Sequence, residues 1–143
     1  MGTPEENKTL WRRFVDEVPN KRNIDAIDEL VDEDVVFHMP EPVEGREALK
    51  EAIRGRLETM TDVRVVIDEL VAEGDRAVGL VTVSGTMVGE YMGRDVDGTP
   101  MSIQVAHFLR FRDGRIIEDR HISDSLAVLA QLGFDRIPQA AEA

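Results

Sequence analysis

Apolar positions recur at helical spacing three times before the period changes. Leu10, Trp11, Phe14, Val15 and Val18 form the first set. Thr3 and Pro4 stand before it as cap and first-turn residue, so the pattern predicts an amphipathic helix that covers a core. Ile24, Ile27, Leu30 and Val31 form the second set, followed by a β-rich run, VVFHMP, that Pro40 closes. Ala48, Leu49, Ala52, Ile53, Leu57 and Met60 mark a third helix, opened near Gly45. From Thr61 the alternation becomes that of strands: TDVRVVIDELVAEGDRAVGLVTVSGTM reads as two long strands joined at Glu73, Gly74 and Asp75. A loop, VGEYMGRDVDGT, leads into the strand PMSIQVAHFLRFR; Asp113 and Gly114 give a sharp hairpin signal, and RIIEDRHI returns as the last strand. Ser123 or Asp124 caps a short helix, SLAVLAQL, that Gly133 stops, and Phe134 to Ala143 reads as a loose tail.

Three helices followed by a meander of long strands predict an α+β fold, with the helices gathered on the concave face of a curved antiparallel sheet. Sheet and helices then enclose a blind, cone-shaped barrel whose concave side would seat a small ligand. With 143 residues and no internal repeat or linker, the expectation is a single domain over 1–143, its core spanning about residues 5–133.

Composition narrows the chemistry. There is no Cys, which excludes thiolate nucleophiles, disulfide scaffolds and cysteine-ligated metal clusters. The 29 acidic against 17 basic residues give a net charge of −12, which repels a phosphate backbone, so nucleic acid is not the expected partner. No apolar run approaches the ~20 residues of a membrane span and no leader pattern opens the chain, so no membrane association and cytoplasmic residence are the expectations.

The candidate chemistry lies in QVAHFLRFRDGRIIEDRHISD, residues 104–124, which places two of the three His on one hairpin. Along the first strand Met101, Ile103, Val105, His107, Leu109 and Phe111 share a face, apolar except for His107. An imidazole in the middle of such a row is either a core histidine satisfied by a neighbour or a pocket residue. On the partner strand strict alternation puts Arg115, Ile117, Asp119, His121 and Ser123 on one face and Ile116, Glu118, Arg120 and Ile122 on the other. If the first is the inward face, His107, Asp119 and His121 converge, with Asp119 and His121 about 6–7 Å apart along the strand. Such a trio suits proton transfer: an imidazole changes charge near neutrality, and a carboxylate raises its basicity and fixes its tautomer. His121 oriented by Asp119 would be the base, and His107 would donate to a carbonyl or enolate oxygen. Alternatively Asp119 and His121 merely solvate the rim of the sheet.

The run GTMVGEYMGRDVDGTPMSIQVAHFLRFRDGRIIEDRHISDSLAVLAQLG resembles the C-terminal half of SnoaL-like proteins, the polyketide and ester cyclase branch of the nuclear transport factor 2-like superfamily. The segment VDEDVVFHMPEPVEGREALKEAIRGRLETM is similar to the first half of the same family. The resemblance implies an α+β barrel with a deep pocket, commonly a homodimer packed through its sheet, and neither metal nor organic cofactor. It also implies that a pocket Asp on the last strand serves as acid/base, assisted by a His on the preceding strand. His107 matches that His, and the position of the Asp is occupied by His121, with Asp119 two residues earlier. A Gln found two residues before the family's His is Val105 here.

The expected catalytic residues are therefore His107, His121 and Asp119. His38, Trp11, Phe14, Tyr91, Met92, Val105 and Ile117 are the candidates for contact with substrate, although Trp11, Phe14, Tyr91 and Met92 read first as core or lid packing. The expected ligand is a small apolar carbonyl-containing molecule, processed without a cofactor by a cyclase, isomerase or hydrolase. Two rivals remain. His107, His121 and Asp119, with or without His38, have the ligand types of a two-histidine, one-carboxylate metal site. A module that only binds a ligand or dimerises would use the same fold.

Overall fold

The computed structural model describes residues 2–39 and 41–138. Helix α1 (Pro4–Val15) begins at Thr3, whose hydroxyl accepts the N–H of Glu6 at 3.1 Å, and it buries Asn7, Trp11, Phe14 and Val15. The chain continues through a π-helical turn, Asp16–Asn20, and a 3-10 turn, Ile24–Ala26, into the single-turn helix α2 (Ile27–Leu30). The expected second helix is thus shorter than its apolar spacing suggests. Val31 opens strand β1 (Val31–His38) instead of ending the helix, because it pairs with Ile116 in the sheet. Strand β2 (Pro42–Glu44) and helix α3 (Arg46–Leu57) follow. The closure expected at Pro40 lies outside the described residues.

The long strands form as read: β3 (Met60–Glu73), β4 (Arg76–Met87), then, after an intervening segment, β7 (Pro100–Arg112) and β8 (Arg115–Ser123). Asp113 and Gly114 both take positive φ, at 50° and 74°, which matches a two-residue turn to the twist of the strands it joins. The segment expected as a loop contains a miniature hairpin of β5 (Glu90–Tyr91) and β6 (Arg94–Asp95), turned at Met92 and Gly93. Helix α4 (Ser125–Gln131) is capped by the Asp124 carboxylate, which accepts the N–H of Ala127 at 3.0 Å. It is fastened to β7 by Gln131, whose side-chain amide both donates to and accepts from the Ser102 backbone at 2.8 Å. Phe134, expected as the start of a loose tail, packs edge-on against Tyr91; residues 139–143 lie outside the described residues. Among the described residues no helix is long and apolar enough to cross a membrane.

The main sheet runs β2-β1-β8-β7-β4-β3, antiparallel except for the β1–β8 pair. Helices α1, α2 and α3 pack on its concave side. Trp11, Phe14, Ile27, Leu30 and Leu49 meet Phe37, Val81, Leu109, Phe111 and Ile116 in the main core. A smaller cluster of Met60, Met87, Val96 and Leu132 sits under the β5–β6 hairpin and α4.

Strand β8 departs from strict alternation. Arg110 pairs with Glu118, but Phe111 pairs with Ile116, so Ile117 is an extra residue on the β8 side of the ladder. This β-bulge resets which side chains face inward. Ile116, expected outside, has no exposed surface and joins the core; Ile117, expected inside, is half-buried and outside that cluster. Beyond the bulge Asp119 and His121 keep the inward face.

Candidate active site

His107 lies opposite His121 across the β7–β8 ladder, and Leu109 lies opposite Asp119. Both imidazoles therefore stand on the concave face beside one carboxylate. His107 donates its Nδ1–H to Asp119, at 3.0 Å from Oδ2 and 3.2 Å from Oδ1, and His121 donates its Nε2–H to the same Oδ2 at 3.0 Å. Asp119 is completely buried, whereas the His107 and His121 side chains keep 15% and 19% of their surface. Both histidine side chains thus stay partly open while the carboxylate they share is sealed.

These bonds decide which nitrogens remain for chemistry. A neutral imidazole donates through one nitrogen and accepts through the other. With Nδ1 of His107 and Nε2 of His121 committed to Asp119, the remaining atoms are His107 Nε2 and His121 Nδ1. Burial pushes the Asp119 carboxyl upward, but the charge and hydrogen bond of His107, joined by the hydrogen bond and charge of His121, outweigh it and hold the group below the ordinary carboxylate range. Asp119 is consequently an anion that orients two imidazoles and stabilises either as imidazolium.

Aromatic packing encloses the trio. The ring centroids of His107 and His121 are 4.3 Å apart; Trp11 stands 5.2 Å from His107, and Phe37 stands 5.9 Å from His121, edge-on. Phe14 packs against Phe37 at 6.1 Å. Gly79 on β4 lies directly opposite His107, and a Cβ added there would fall 2.2 Å from the Trp11 ring. The bonding atoms of His107, Asp119 and His121 all lie within 4.8 Å of one another, so the same set has the spacing to hold a divalent ion. An ion there would have to replace both N–H···O bonds.

The remaining sequence candidates are distributed less compactly. Trp11 and Phe14 are buried packing, at 1% and 8% exposure, and touch the trio or its neighbour. Val105 is buried two residues before His107 on the same face. His38, expected to line the pocket, points to the convex side: it follows Phe37 on β1, and its Nε2 meets Glu118 at 3.2 Å. The Glu118 carboxylate, although Glu118 lies opposite Arg110 in the ladder, is engaged by His38 instead. Ile117 is displaced by the bulge. Tyr91 belongs to the second cluster with Phe134, and Met92 is exposed at the β5–β6 turn. The sequence reading missed Gly79 and Phe37, which only the cross-strand register brings to the site.

The family model for SnoaL-like polyketide cyclases matches residues 9–132. The chain belongs to the SnoaL-like polyketide cyclase family. No curated protein sequence matches it. Among solved structures, TsrD from Streptomyces laurentii is 26% identical, with 93% of this chain and 98% of that one covered and a TM-score of 0.83. AclR from Streptomyces galilaeus, named as a candidate hydroxylase, is 26% identical over 92% of this chain and 98% of its own, with a TM-score of 0.80. A candidate SnoaL-like polyketide cyclase from Jannaschia sp. CCS1 is 23% identical over 95% and 99%, with a TM-score of 0.82, a likeness of fold. In this SnoaL-like chain the trio lies on the concave face of β7 and β8, the two central strands of the sheet, with Trp11 of α1 against His107.

Proposed function

We propose that this SnoaL-like protein is a cofactor-independent acid/base enzyme that acts on a small, largely apolar, carbonyl-containing molecule, in the manner of a cyclase, isomerase or hydrolase. The observation that carries the reading is the fully buried Asp119 carboxylate bonded at 3.0 Å to the imidazoles of two partly exposed histidines. With one extra proton on the pair, the trio is electrically neutral, the state that costs least in a buried site. His121 Nδ1 then removes a proton from the carbon beside the carbonyl, while protonated His107 gives its Nε2 proton to the developing oxyanion. The net charge is unchanged through the step, which suits a site with little water.

The test is α-proton exchange in deuterated buffer, followed by NMR for a panel of polyketide-like esters and aromatic ketones. The expected result is exchange above the buffer rate, reduced about 10²–10⁴-fold in His121→Gln or Asp119→Asn, and unchanged by dialysis against a chelator. Exchange at the buffer rate for every compound, with binding retained, would leave the protein as a ligand-binding module. Loss on chelation would favour the metal reading.

We also infer that a second copy of the chain covers the convex face of the sheet. That face exposes Val66, Val71, Val78, Phe108 and Ile122, at 37–65% of their surface. Beside them Arg76 and Arg120 flank a cleft of about 180 Å³ with Val78 and Phe108, while Glu69 and Glu73 on β3 supply carboxylates that a two-fold partner would bring to the arginines.

A further inference from the structure

The sequence sets Trp11 among residues that pack or line a pocket, yet its position is more specific than packing requires. Its six-membered ring occupies the notch left by the absent side chain of Gly79, with a virtual Cβ at 2.2 Å and 2.4 Å from two ring carbons. Gly79 is the β4 residue paired with His107 on β7. The notch therefore brings the indole to 5.2 Å from the His107 imidazole, with the planes tilted by 53°. On its other side His107 meets the His121 ring at 4.3 Å, and from β8 it meets Asp119. An imidazole held between two rings cannot flip about its χ2 axis without displacing one of them. A flip would exchange Nδ1 with a ring carbon and break the bond to Asp119.

We propose that Trp11, seated by Gly79, is a positioning residue for His107: it holds the imidazole in the orientation that commits Nδ1 to Asp119 and leaves Nε2 as the nitrogen offered to a ligand. Asp119 alone selects a tautomer in any ring orientation that reaches it; Trp11 removes the alternatives. The device depends on two residues far apart in sequence, and a β4 side chain of any size at position 79 would dismantle it. It goes beyond the proposed reaction and holds whatever that reaction is, because ring orientation and tautomer are read without a substrate.

Trp11 is the chain's single Trp, so the protein carries its own probe. A protonated imidazole in van der Waals range quenches indole emission, so the fluorescence should fall on acidification along the same curve that NMR gives for the His107 ring. His107→Gln should abolish that step. In Trp11→Leu and Gly79→Ala the His107 ¹⁵N shifts should move from those of one locked tautomer toward the average of two. Trp11→Phe should restore the locked pattern in part, and the His121 shifts should change less. A merely structural Trp11 would lower the melting temperature in these variants and leave the His107 ring shifts where they were. Emission that ignores the His107 titration, or wild-type His107 shifts in the folded Trp11→Leu protein, would overturn the proposal. Should Gly79→Ala fail to fold, the His107 shifts of Trp11→Leu against those of Trp11→Phe still decide it.

Discussion

Asp119 is the residue on which the site turns, and its burial has a cost that its two partners must offset. Removing it leaves two imidazoles without their acceptor, so Asp119→Ala should destabilise the fold by about 3 kcal/mol, measured by urea denaturation at neutral pH. Asp119→Asn keeps the shape but presents a neutral oxygen or an amide donor to two N–H groups. It should retain most of the stability while losing the α-proton exchange proposed for the site. The pH dependence follows from the direction of the shift. The folded carboxyl lies below its ordinary value of 3.8, so the unfolded chain binds the proton first on acidification. The stability that Asp119 contributes is fully present above about pH 4, declines as pH falls below that value, and is gone once pH passes below the folded pKa. The difference in unfolding free energy between wild type and Asp119→Asn should therefore shrink as the pH is lowered from 5 to 2. A constant difference over that range would mean that Asp119 is not held as an anion. At this scale the sequence was informative, because a lone His107 in an apolar row and an Asp-x-His pair on the returning strand both stand out. Gly79 gave no signal, since AVGLV reads as an ordinary weakened strand and the notch it makes exists only opposite Trp11.

At the scale of elements, the β8 bulge separates what periodicity can and cannot deliver. A single extra residue inverts the faces on one side of it, so alternation counted back from Asp119 places Ile117 inside, where the structure has Ile116. Nothing in RIIEDR marks the insertion: two adjacent Ile residues satisfy either register, and the bulge is selected by pairing with Phe111 on β7 and Val31 on β1. The consequence is measurable. Ile116→Ala should cost about 2–5 kcal/mol by denaturant unfolding, as a fully buried Ile does, and Ile117→Ala less than about 1 kcal/mol. Equal costs would refute the assignment of faces. The shortened α2 has a similar origin, in that β-branched Val31 pairs with a neighbouring strand in preference to extending a helix too short to be stable alone. The outer edge of β3 shows how the fold protects a long strand. The Asn20 side chain accepts the Val65 N–H at 2.7 Å and donates to the Val65 carbonyl at 2.9 Å, as a paired strand would. Asn20→Ala should lose about 1–2 kcal/mol and raise hydrogen exchange at Val65.

For the whole molecule, the SnoaL-like fold was legible because its helices, strands and turns each agree with one architecture. The use of the molecule was less so, because the same frame hosts different chemistries. Its convex face gives a prediction at this scale: Phe108→Glu should turn a particle of twice the 16.0 kDa chain mass into one of that mass, read by sedimentation equilibrium. Its concave face gives the decisive one. The imidazole signals of His107 and His121 should be followed by NMR while an aromatic enol or 1,3-diketone, a stable stand-in for the enolate, is titrated into the wild type and into Asp119→Asn. Saturable shifts of both rings in the wild type, weakened at least about tenfold in affinity in Asp119→Asn, are the expected result. Binding that moves neither ring, or moves both equally without the carboxylate, would contradict a site in which Asp119 makes the two histidines one proton-transfer unit.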